Sequence, residues 1–157
     1  MRRVDKEVTD RVWMEDVLKR AEVLELGMVD EGGKPYVVPL NFGYEDGAIY
    51  VHGAAMGKKV DALTANPYVC FQVFIDAEVI RDETDWAEFS MKYNSVTGFG
   101  TVTFLDGREA KNAALTILMK HYDGPTGDLG EGHKHVWVAR IDVESMTGKR
   151  SPAPPKA

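Results

Sequence analysis

The fold is decided by residues 35–67, which read PYVVPLNFGYEDGAIYVHGAAMGKKVDALTANP. Residues 36–44 and 48–52 are rich in β-branched and aromatic side chains, so they predict two strands. Gly47 allows the tight turn between them. A short helix is expected from Lys58 to Asn66, because Pro67 disfavours the helical conformation of the residue before it. The stretch therefore predicts a hairpin that leads through a glycine-containing junction into a helix.

The junction, residues 53–57, has the composition of a phosphate-binding site. A helix start exposes unpaired backbone N–H groups and the positive end of the helix dipole, and small residues let a ligand approach them. Lys58 and Lys59 add positive charge, and His52 ends the preceding strand. Neither GxxxxGK[ST] nor GxGxxG is present, so the residues alone also allow a glycine loop followed by two solvated lysines.

Length and composition limit the classes of protein to which this chain can belong. The 157 residues, 44% hydrophobic and 28% charged, predict one globular domain over residues 1–150 and a disordered tail over 151–157. A net charge of −6 argues against general nucleic-acid binding. The sequence has no apolar run long enough to span a membrane and no apolar leader at its start. With Cys70 as its single cysteine, we expect a cytoplasmic protein without a disulfide.

The rest of the chain predicts four more strands and two more helices. The strands are expected at residues 23–29, 68–75, 93–105 and 133–141, with a solvated loop over 76–92. The first helix is expected at 10–20, with Thr9 as N-cap and an apolar face formed by Val12, Trp13, Val17 and Ala21. Another helix is expected up to Tyr122, with Asp106 and Glu109 forming a capping box. The total of six strands without βαβ alternation favours an antiparallel barrel with peripheral helices, which is a mainly β fold.

The spacing of the histidines bears on a metal site. His133 and His135 form an HxH pair, but only His52 and His121 remain to complete a site, so no metal is expected.

Several short blocks of sequence resemble those of one family. They are PLNFGY at 39–44, YVHGA at 50–54, GKKVD at 57–61, NP at 66–67, VCF at 69–71, MKY at 91–93, SV at 95–96, GFG at 98–100 and the segment 141–149. In this order they resemble the nitroimidazole-resistance flavoproteins, within the pyridoxamine-5′-phosphate-oxidase-like group of split β-barrels. The resemblance implies a six-stranded antiparallel split β-barrel of the FMN-binding type. It also implies a homodimer with two FMN molecules in clefts between the subunits.

The resemblance also implies a role for individual residues of this chain. The stretch at the isoalloxazine ring would be Pro39, Leu40, Asn41 and Phe42, with His52 and Gly53 facing the flavin or the substrate. The phosphate would be bound by Lys58 and Lys59, and the partner subunit would contribute Tyr93, Ser95 and Val96. Asn94 stands where relatives often have arginine, which implies one cation fewer for the phosphate. Trp137 would pack near the flavin, a role in the core being the alternative.

The function that follows is an FMN-dependent oxidoreductase, with reduction of a small nitroaromatic compound implied by the family name. His52 is the candidate proton donor or substrate-orienting group, because imidazole titrates near neutral pH. The alternative for His52 is a hydrogen-bonded histidine at a strand end. Alternative functions are a non-catalytic flavin-binding protein and a barrel that binds haem or a deazaflavin.

Overall fold

The computed structural model describes residues 4–128 and 130–151, except for the side chains of Gly132 and His133. Its strands are β1 (Glu7–Val8), β2 (Leu24–Val29), β3 (Pro35–Leu40), β4 (Phe42–Glu45), β5 (Ala48–Ala54), β6 (Tyr68–Ile80), β7 (Ser90–Phe104) and β8 (Val136–Ser151). Its α-helices are α1 (Arg11–Arg20), α2 (Lys58–Ala65) and α3 (Arg108–His121), and 3₁₀ turns lie at Val4–Lys6 and Gly130–His135. The mainly β class with peripheral helices is confirmed.

All strand pairs are antiparallel, and the sheet runs in the order β3-β2-β6-β7-β8-β5-β4, with β1 added against β8. The two strands at the ends of this path, β3 and β4, are joined covalently by Asn41. The path therefore closes on itself, which confirms the antiparallel barrel.

Asn41 divides what the sequence predicted as one strand over residues 36–44. Leu40 pairs with Leu24 of β2, whereas Phe42 pairs with Val51 of β5. The chain thus leaves one half of the barrel and enters the other at a single residue. This division and the two-residue β1 account for eight described strands where six were predicted.

The core lies inside the barrel and beneath α1. Alternate positions of β2 point inward, so Leu24, Leu26 and Met28 are buried. Phe42 and Phe71 are fully buried in the same core. Apolar side chains that alternate along a strand form such a one-sided core.

The start of α1 corrects two sequence predictions. Asp10, not Thr9, is the N-cap, and its Oδ1 accepts the N–H groups of Val12 at 2.9 Å and Trp13 at 3.4 Å. Val12 is 77% exposed and lies outside the apolar face to which it was assigned. That face is formed by Met14, Val17 and Leu18, because the helix is turned by about one residue relative to the predicted stripe.

The start of α3 also differs from the prediction. Gly107 occupies the N-cap position with a φ of +81°, and none of the described side chains caps the helix. Asp106 therefore lies one residue too early to form the expected capping box with Glu109. Such a positive φ is readily adopted by glycine, so Gly107 sets where the helix begins.

The segment 76–92 was predicted as a loop and is mostly a continuation of the sheet. β6 runs on to Ile80 and β7 begins at Ser90, with a β-bulge between Ile75 and Glu78. Side chains on both faces of this extension are exposed, so it lacks the apolar alternation by which a strand is recognised.

The last strand is later and longer than predicted. Residues 130–135 form a 3₁₀ turn, so β8 begins at Val136 rather than at His133. Ser151, assigned to the disordered tail, is buried in β8, where its hydroxyl donates to the carbonyl of Met91 at 3.0 Å. The other residues of that predicted tail, 152–157, lie outside the described residues. No helix in the described ranges is long and apolar enough to cross a membrane.

Candidate functional site

The junction between β5 and α2 has the predicted geometry of an open helix start. Gly57 is the N-cap with a φ of +126°, and no described side chain takes the capping position. The Gly57 carbonyl accepts the N–H groups of Val60 at 2.9 Å and Asp61 at 3.2 Å. The earlier N–H groups, those of Lys58 and Lys59, have no carbonyl within the helix to bond. Together with the dipole they make this end of α2 attractive to an anion.

Lys58 turns towards the β2–β3 hairpin. Its Nζ lies 3.7 Å from Asp30 Oδ2 and 4.6 Å from the centre of the Tyr36 ring. The side chain is more than half exposed, so this ion pair contributes little to stability. The carboxylate of Asp30 nevertheless places a negative charge where an anion bound by Lys58 would lie.

Lys59 turns the other way, towards β5 and β8. Its Nζ lies 5.8 Å from the centre of the Trp137 ring, and burial lowers the pKa of Lys59. His52 is half-buried, and burial followed by the charge of Lys59 lowers its pKa below the ordinary 6.5. His52 is therefore neutral at pH 7, and each of its tautomers presents one donor and one acceptor nitrogen.

Trp137 is the last member of this group of side chains. It is only 7% exposed, and its Nε1 is buried without a hydrogen-bond partner among the described residues. Gly53 is opposite Trp137 in the ladder, and a Cβ on Gly53 would come within 2.9 Å of the indole ring. Glycine at this position therefore lets the indole lie across β5. We refer to His52, Gly53, Lys59 and Trp137 as the donor cluster.

The predicted isoalloxazine stretch divides between surface and core. Pro39 and Asn41 are exposed, whereas Leu40 and Phe42 are buried. The N–H of Phe42 already donates to the hydroxyl of Tyr122 at 3.0 Å. Of these four residues, only Pro39 and Asn41 present side chains on the surface. Tyr122 was not identified as part of this region from the sequence, because its contact with Phe42 spans 80 positions along the chain.

The residues predicted to contact a partner subunit's flavin lie elsewhere, on β7. A surface groove of about 430 Å³ is lined there by Gln72, Phe74, Met91, Tyr93, Ser95, Thr97, Thr147 and Lys149. We call it the β7 groove. Two of the three predicted residues, Tyr93 and Ser95, line it, and Lys149 Nζ lies 5.2 Å from the centre of the Tyr93 ring. Val96 is fully buried, so only its backbone is available on this face.

Within one chain, the donor cluster and the β7 groove are far apart along β8. Trp137 pairs with Gly53, whereas Ser151, 14 positions further along the same strand, pairs with Tyr93. A strand advances about 3.3 Å per residue, so the two groups lie near opposite ends of a long strand.

The side chain of Asn94 is bonded within the chain. Its Nδ2 donates to Asp76 Oδ2 at 2.8 Å, and Arg20 Nη2 bonds both oxygens of that carboxylate at 2.9 and 3.1 Å. Hydrogen bonds from Asn94 and the charge of Arg20 lower the pKa of Asp76. Asp76 has a φ of +56° at the bulge, so Asn94 helps to hold the bend of the β6–β7 hairpin. No grouping of three His, Cys, Asp or Glu residues suited to a metal occurs in the described part of the chain.

The model of the pyridoxamine 5′-phosphate oxidase family matches residues 10–150. Among solved structures, the chain is 31% identical to a protein of Bacteroides thetaiotaomicron assigned to 5-nitroimidazole antibiotic resistance. That match has a TM-score of 0.81 and covers 91% of this chain and 85% of the other. No curated protein sequence gives a significant match.

Two further structures share the fold at lower identity. An FAD- and haem-binding protein of Mycobacterium smegmatis is 20% identical, with a TM-score of 0.82 over 97% of this chain and 77% of the other. A flavocytochrome of Azotobacter vinelandii is also 20% identical, with a TM-score of 0.82 over 100% of this chain and 74% of the other.

Proposed function

The chain belongs to the pyridoxamine 5′-phosphate oxidase family, and from this premise we propose that it is an FMN-dependent oxidoreductase that reduces small nitroaromatic compounds. The family and its fold neighbours include flavin-binding proteins, which supports a flavin as the cofactor. The name of the Bacteroides relative supports 5-nitroimidazoles as the substrate class.

The observation that carries the proposal is the donor cluster beside the open start of α2. The partly buried ammonium of Lys59 supplies positive charge, and the uncapped helix start supplies N–H donors. They fit the terminal phosphate of a flavin nucleotide and do not fit a cation. Exposed Pro39 and Asn41 lie on the strand stretch where the family resemblance places the ring.

We propose that the active protein is a homodimer in which each flavin lies between the donor cluster of one chain and the β7 groove of the other. The separation of the two groups along β8 supports a second chain, since one chain cannot readily bring both to one ligand. Exposed apolar side chains in the β7 groove, Phe74 and Met91, also favour a partner surface.

When bound, the flavin would supply the redox chemistry by taking electrons from a donor and giving them to the nitro group. His52 would hold a proton at one ring nitrogen and orient the substrate, because its lowered pKa keeps it neutral at pH 7. Trp137 packed against Gly53 would exclude water from one side of the site. Lys59 would hold the phosphate and keep the local potential positive.

Titrations with FMN, FAD, riboflavin and haem test the cofactor. We expect FMN to bind most tightly, with a shifted flavin absorbance band. Tighter binding of FAD or haem than of FMN would contradict the proposal and favour the cofactors of the lower-identity neighbours. Replacing both lysines, Lys58→Ala with Lys59→Ala, should weaken FMN binding more than riboflavin binding, because only FMN carries a phosphate.

A single-turnover experiment tests the reaction. Anaerobic holoprotein, reduced by light in the presence of EDTA as the electron donor, should be reoxidised by a 5-nitroimidazole. His52→Ala should slow this step about 100-fold, the low end for a lost proton donor. Reduced holoprotein that the nitroimidazole leaves reduced would indicate a flavin-binding protein without this activity.

A further inference from the structure

We propose that two copies of this chain associate through the outward side of β2, β6, β7 and β8, and that Glu25 of each copy forms an ion pair there with Lys149 of the other. We call this surface, which carries Glu25, Gln72, Phe74, Thr97 and Lys149, the outer face. The inference rests on the homodimer of the proposed function and goes beyond it by naming the ion pair that aligns the two chains.

The first reason is the carboxylate of Glu25. Leu24 and Leu26, on either side of it along β2, are buried inside the barrel, so Glu25 points outward. Its Oε2 is buried without a hydrogen-bond partner among the described residues. A carboxylate that is partly removed from water costs free energy unless it is paired, so this one favours an added cation.

Glu25 can be reached from outside the chain. It lines two surface cavities, one of about 570 Å³ and one of about 280 Å³. Arg20, the cation among the residues that line the larger cavity, is bonded to Asp76 at 2.9 and 3.1 Å and to Asp16 at 3.5 Å. The carboxylate of Glu25 is therefore accessible, and the cation beside it is already paired.

The second reason is a cation on the same face. Lys149 lines the β7 groove, and its Nζ lies 5.2 Å from the centre of the Tyr93 ring. The other side chains that line the groove are apolar or carry hydroxyl and amide groups, and none is a carboxylate. Although Glu7 lies opposite Lys149 on β1, no ion pair among the described residues includes Lys149. A carboxylate from another chain would therefore be attracted to this groove.

The third reason is the separation of the two charges within one chain. Glu25 is opposite Gln72 on β6, and Gln72 is opposite Thr97 on β7. Thr97 is opposite Thr147 on β8, two residues before Lys149. Neighbouring strands lie about 4.8 Å apart, so the backbones of β2 and β8 are separated by about 14 Å at this level. Glu25 and Lys149 are therefore too far apart to pair within one chain.

A twofold axis makes the two charges complementary between chains. In an association of this symmetry every contact occurs twice, so Glu25 of one copy on Lys149 of the other implies the reverse pair as well. Gln72 and Phe74 line the β7 groove and also the cavities beside Glu25, so both charges belong to one continuous surface. Phe74, which is 48% exposed on β6 between them, would be covered by the second chain.

The same alignment suits the proposed flavin site. Glu25 is opposite Pro39 in the ladder of β2 and β3, and Pro39 is an exposed residue of the stretch at which the ring is proposed to lie. Lys149 lines the groove that the other chain is proposed to contribute. An ion pair between Glu25 and Lys149 would thus bring these two parts of the site together.

Charge reversal tests the ion pair by sedimentation velocity, with and without FMN. Glu25→Lys and Lys149→Glu each place like charges opposite one another at both contacts of a homodimer. Each variant should therefore raise the dimer dissociation constant about 10- to 100-fold. An equimolar mixture of the two variants should form heterodimers with a dissociation constant within about threefold of wild type, because both contacts then join opposite charges.

Glu45→Lys and Lys120→Glu are the matched controls, because both side chains are exposed on elements outside the outer face, β4 and α3. They change the net charge by the same amounts and should leave the dissociation constant unchanged, alone and mixed. Single reversals that associate like wild type, or a mixture that does not recover association, would overturn the inference.

Recovery in the mixture also shows that both reversed chains fold, and circular dichroism of each variant checks this separately. If a reversed charge unfolds the chain, the neutral variants Glu25→Gln and Lys149→Met replace it in the test. Each removes one member of the pair and should raise the dissociation constant about three- to tenfold. An unchanged constant in both neutral variants would equally overturn the inference.

Titration of the same samples with FMN separates this inference from the proposed function. Heterodimer recovery in chains that bind no flavin would support the ion pair and contradict the proposed function. Flavin binding to a wild-type dimer that neither reversal weakens would support the proposed function and overturn the ion pair. A wild-type chain that stays monomeric with and without FMN would contradict both the ion pair and the proposed homodimer.

Discussion

The donor cluster and the β7 groove lie near opposite ends of β8. They differ in whether polar groups without partners or exposed apolar side chains predominate. The donor cluster is partly buried and polar, and neither the indole N–H of Trp137 nor the ammonium of Lys59 has an acceptor or an acidic partner among the described residues. In the β7 groove, Lys149 lies over the Tyr93 ring and the hydroxyl of Thr97 donates to Gln72, while Phe74 and Met91 expose apolar surface.

This difference indicates two kinds of missing partner. A partly buried ammonium without an acidic partner favours an added negative charge, whereas exposed apolar side chains favour a surface that excludes water. We therefore propose that the first region binds the charged part of a small ligand and that the second region binds another chain.

The largest expected effect is the difference in stability lost when a buried and an exposed tryptophan are each replaced by alanine. Trp137→Ala should lower the free energy of unfolding by about 3–5 kcal/mol, since it removes a nearly buried aromatic side chain from the donor cluster. Trp86→Ala, at a position 88% exposed, should stay within about 0.5 kcal/mol of wild type. Urea unfolding followed by circular dichroism measures both. Similar losses in the two variants would mean that Trp137 is not packed as described.

A smaller effect is expected from filling the space over which the indole lies. Gly53→Ala places a Cβ 2.9 Å from the Trp137 ring and should cost about 1–3 kcal/mol of unfolding free energy by overpacking. Gly27→Ala is the matched strand glycine, because its Cβ would meet Cys70 at an ordinary 3.4 Å. Thermal unfolding compares them. If Gly27→Ala proves the more damaging, Trp137 does not lie against Gly53.

The β7 groove is tested through association. Phe74→Asp introduces a charge at a side chain that is 48% exposed in the groove, so the dimer dissociation constant should rise about 10- to 100-fold. Val12→Asp, on the exposed face of α1, should leave it unchanged. Sedimentation velocity over a range of concentrations gives both constants. If Phe74→Asp leaves the dimer dissociation constant unchanged, the partner surface does not lie in the groove.

The smallest effect is a pH dependence of stability. Burial and the charge of Lys59 lower the pKa of His52 below 6.5, so the unfolded chain takes up the proton more readily than the folded chain. His52 therefore contributes stability above about pH 6.5 that is lost as the pH falls below it. The unfolding free energy should decrease more between about pH 7.5 and about pH 5.5 in wild type than in His52→Gln. Equal decreases would show that His52 titrates alike in both states.

The fold could be predicted from the sequence wherever the conformational preference of a single residue determines a turn or a helix end. The hairpin turn at Gly47 and the helix end before Pro67 are both set by backbone preferences of single residues. The division at Asn41 could not be found in this way, because the apolar pattern continues through it and only the pairing with β2 and β5 reveals the corner. The β6–β7 extension was missed because exposed strands lack apolar alternation.

The residue types of the site could be predicted from the sequence, but the relative positions of their side chains could not. The glycines and lysines of the junction indicated an anion site, and the resemblance supplied the other residues. The sequence could not distinguish Lys58 from Lys59, because their difference comes from Asp30 and Trp137, which are distant along the chain. Nor could it show that Asn94 holds the bulge at Asp76.

The measurement that tests the central claim most directly is complementation between two defective chains. Lys59→Ala removes the donor cluster's cation, and Tyr93→Ala alters the β7 groove, so each variant alone should bind FMN poorly. After the two are mixed and allowed to exchange subunits, each mixed dimer should contain one site with both regions intact. We predict that about a quarter of the sites then bind FMN with wild-type affinity. No recovery of binding, in a mixture shown by mass spectrometry to contain mixed dimers, would contradict a site shared between chains.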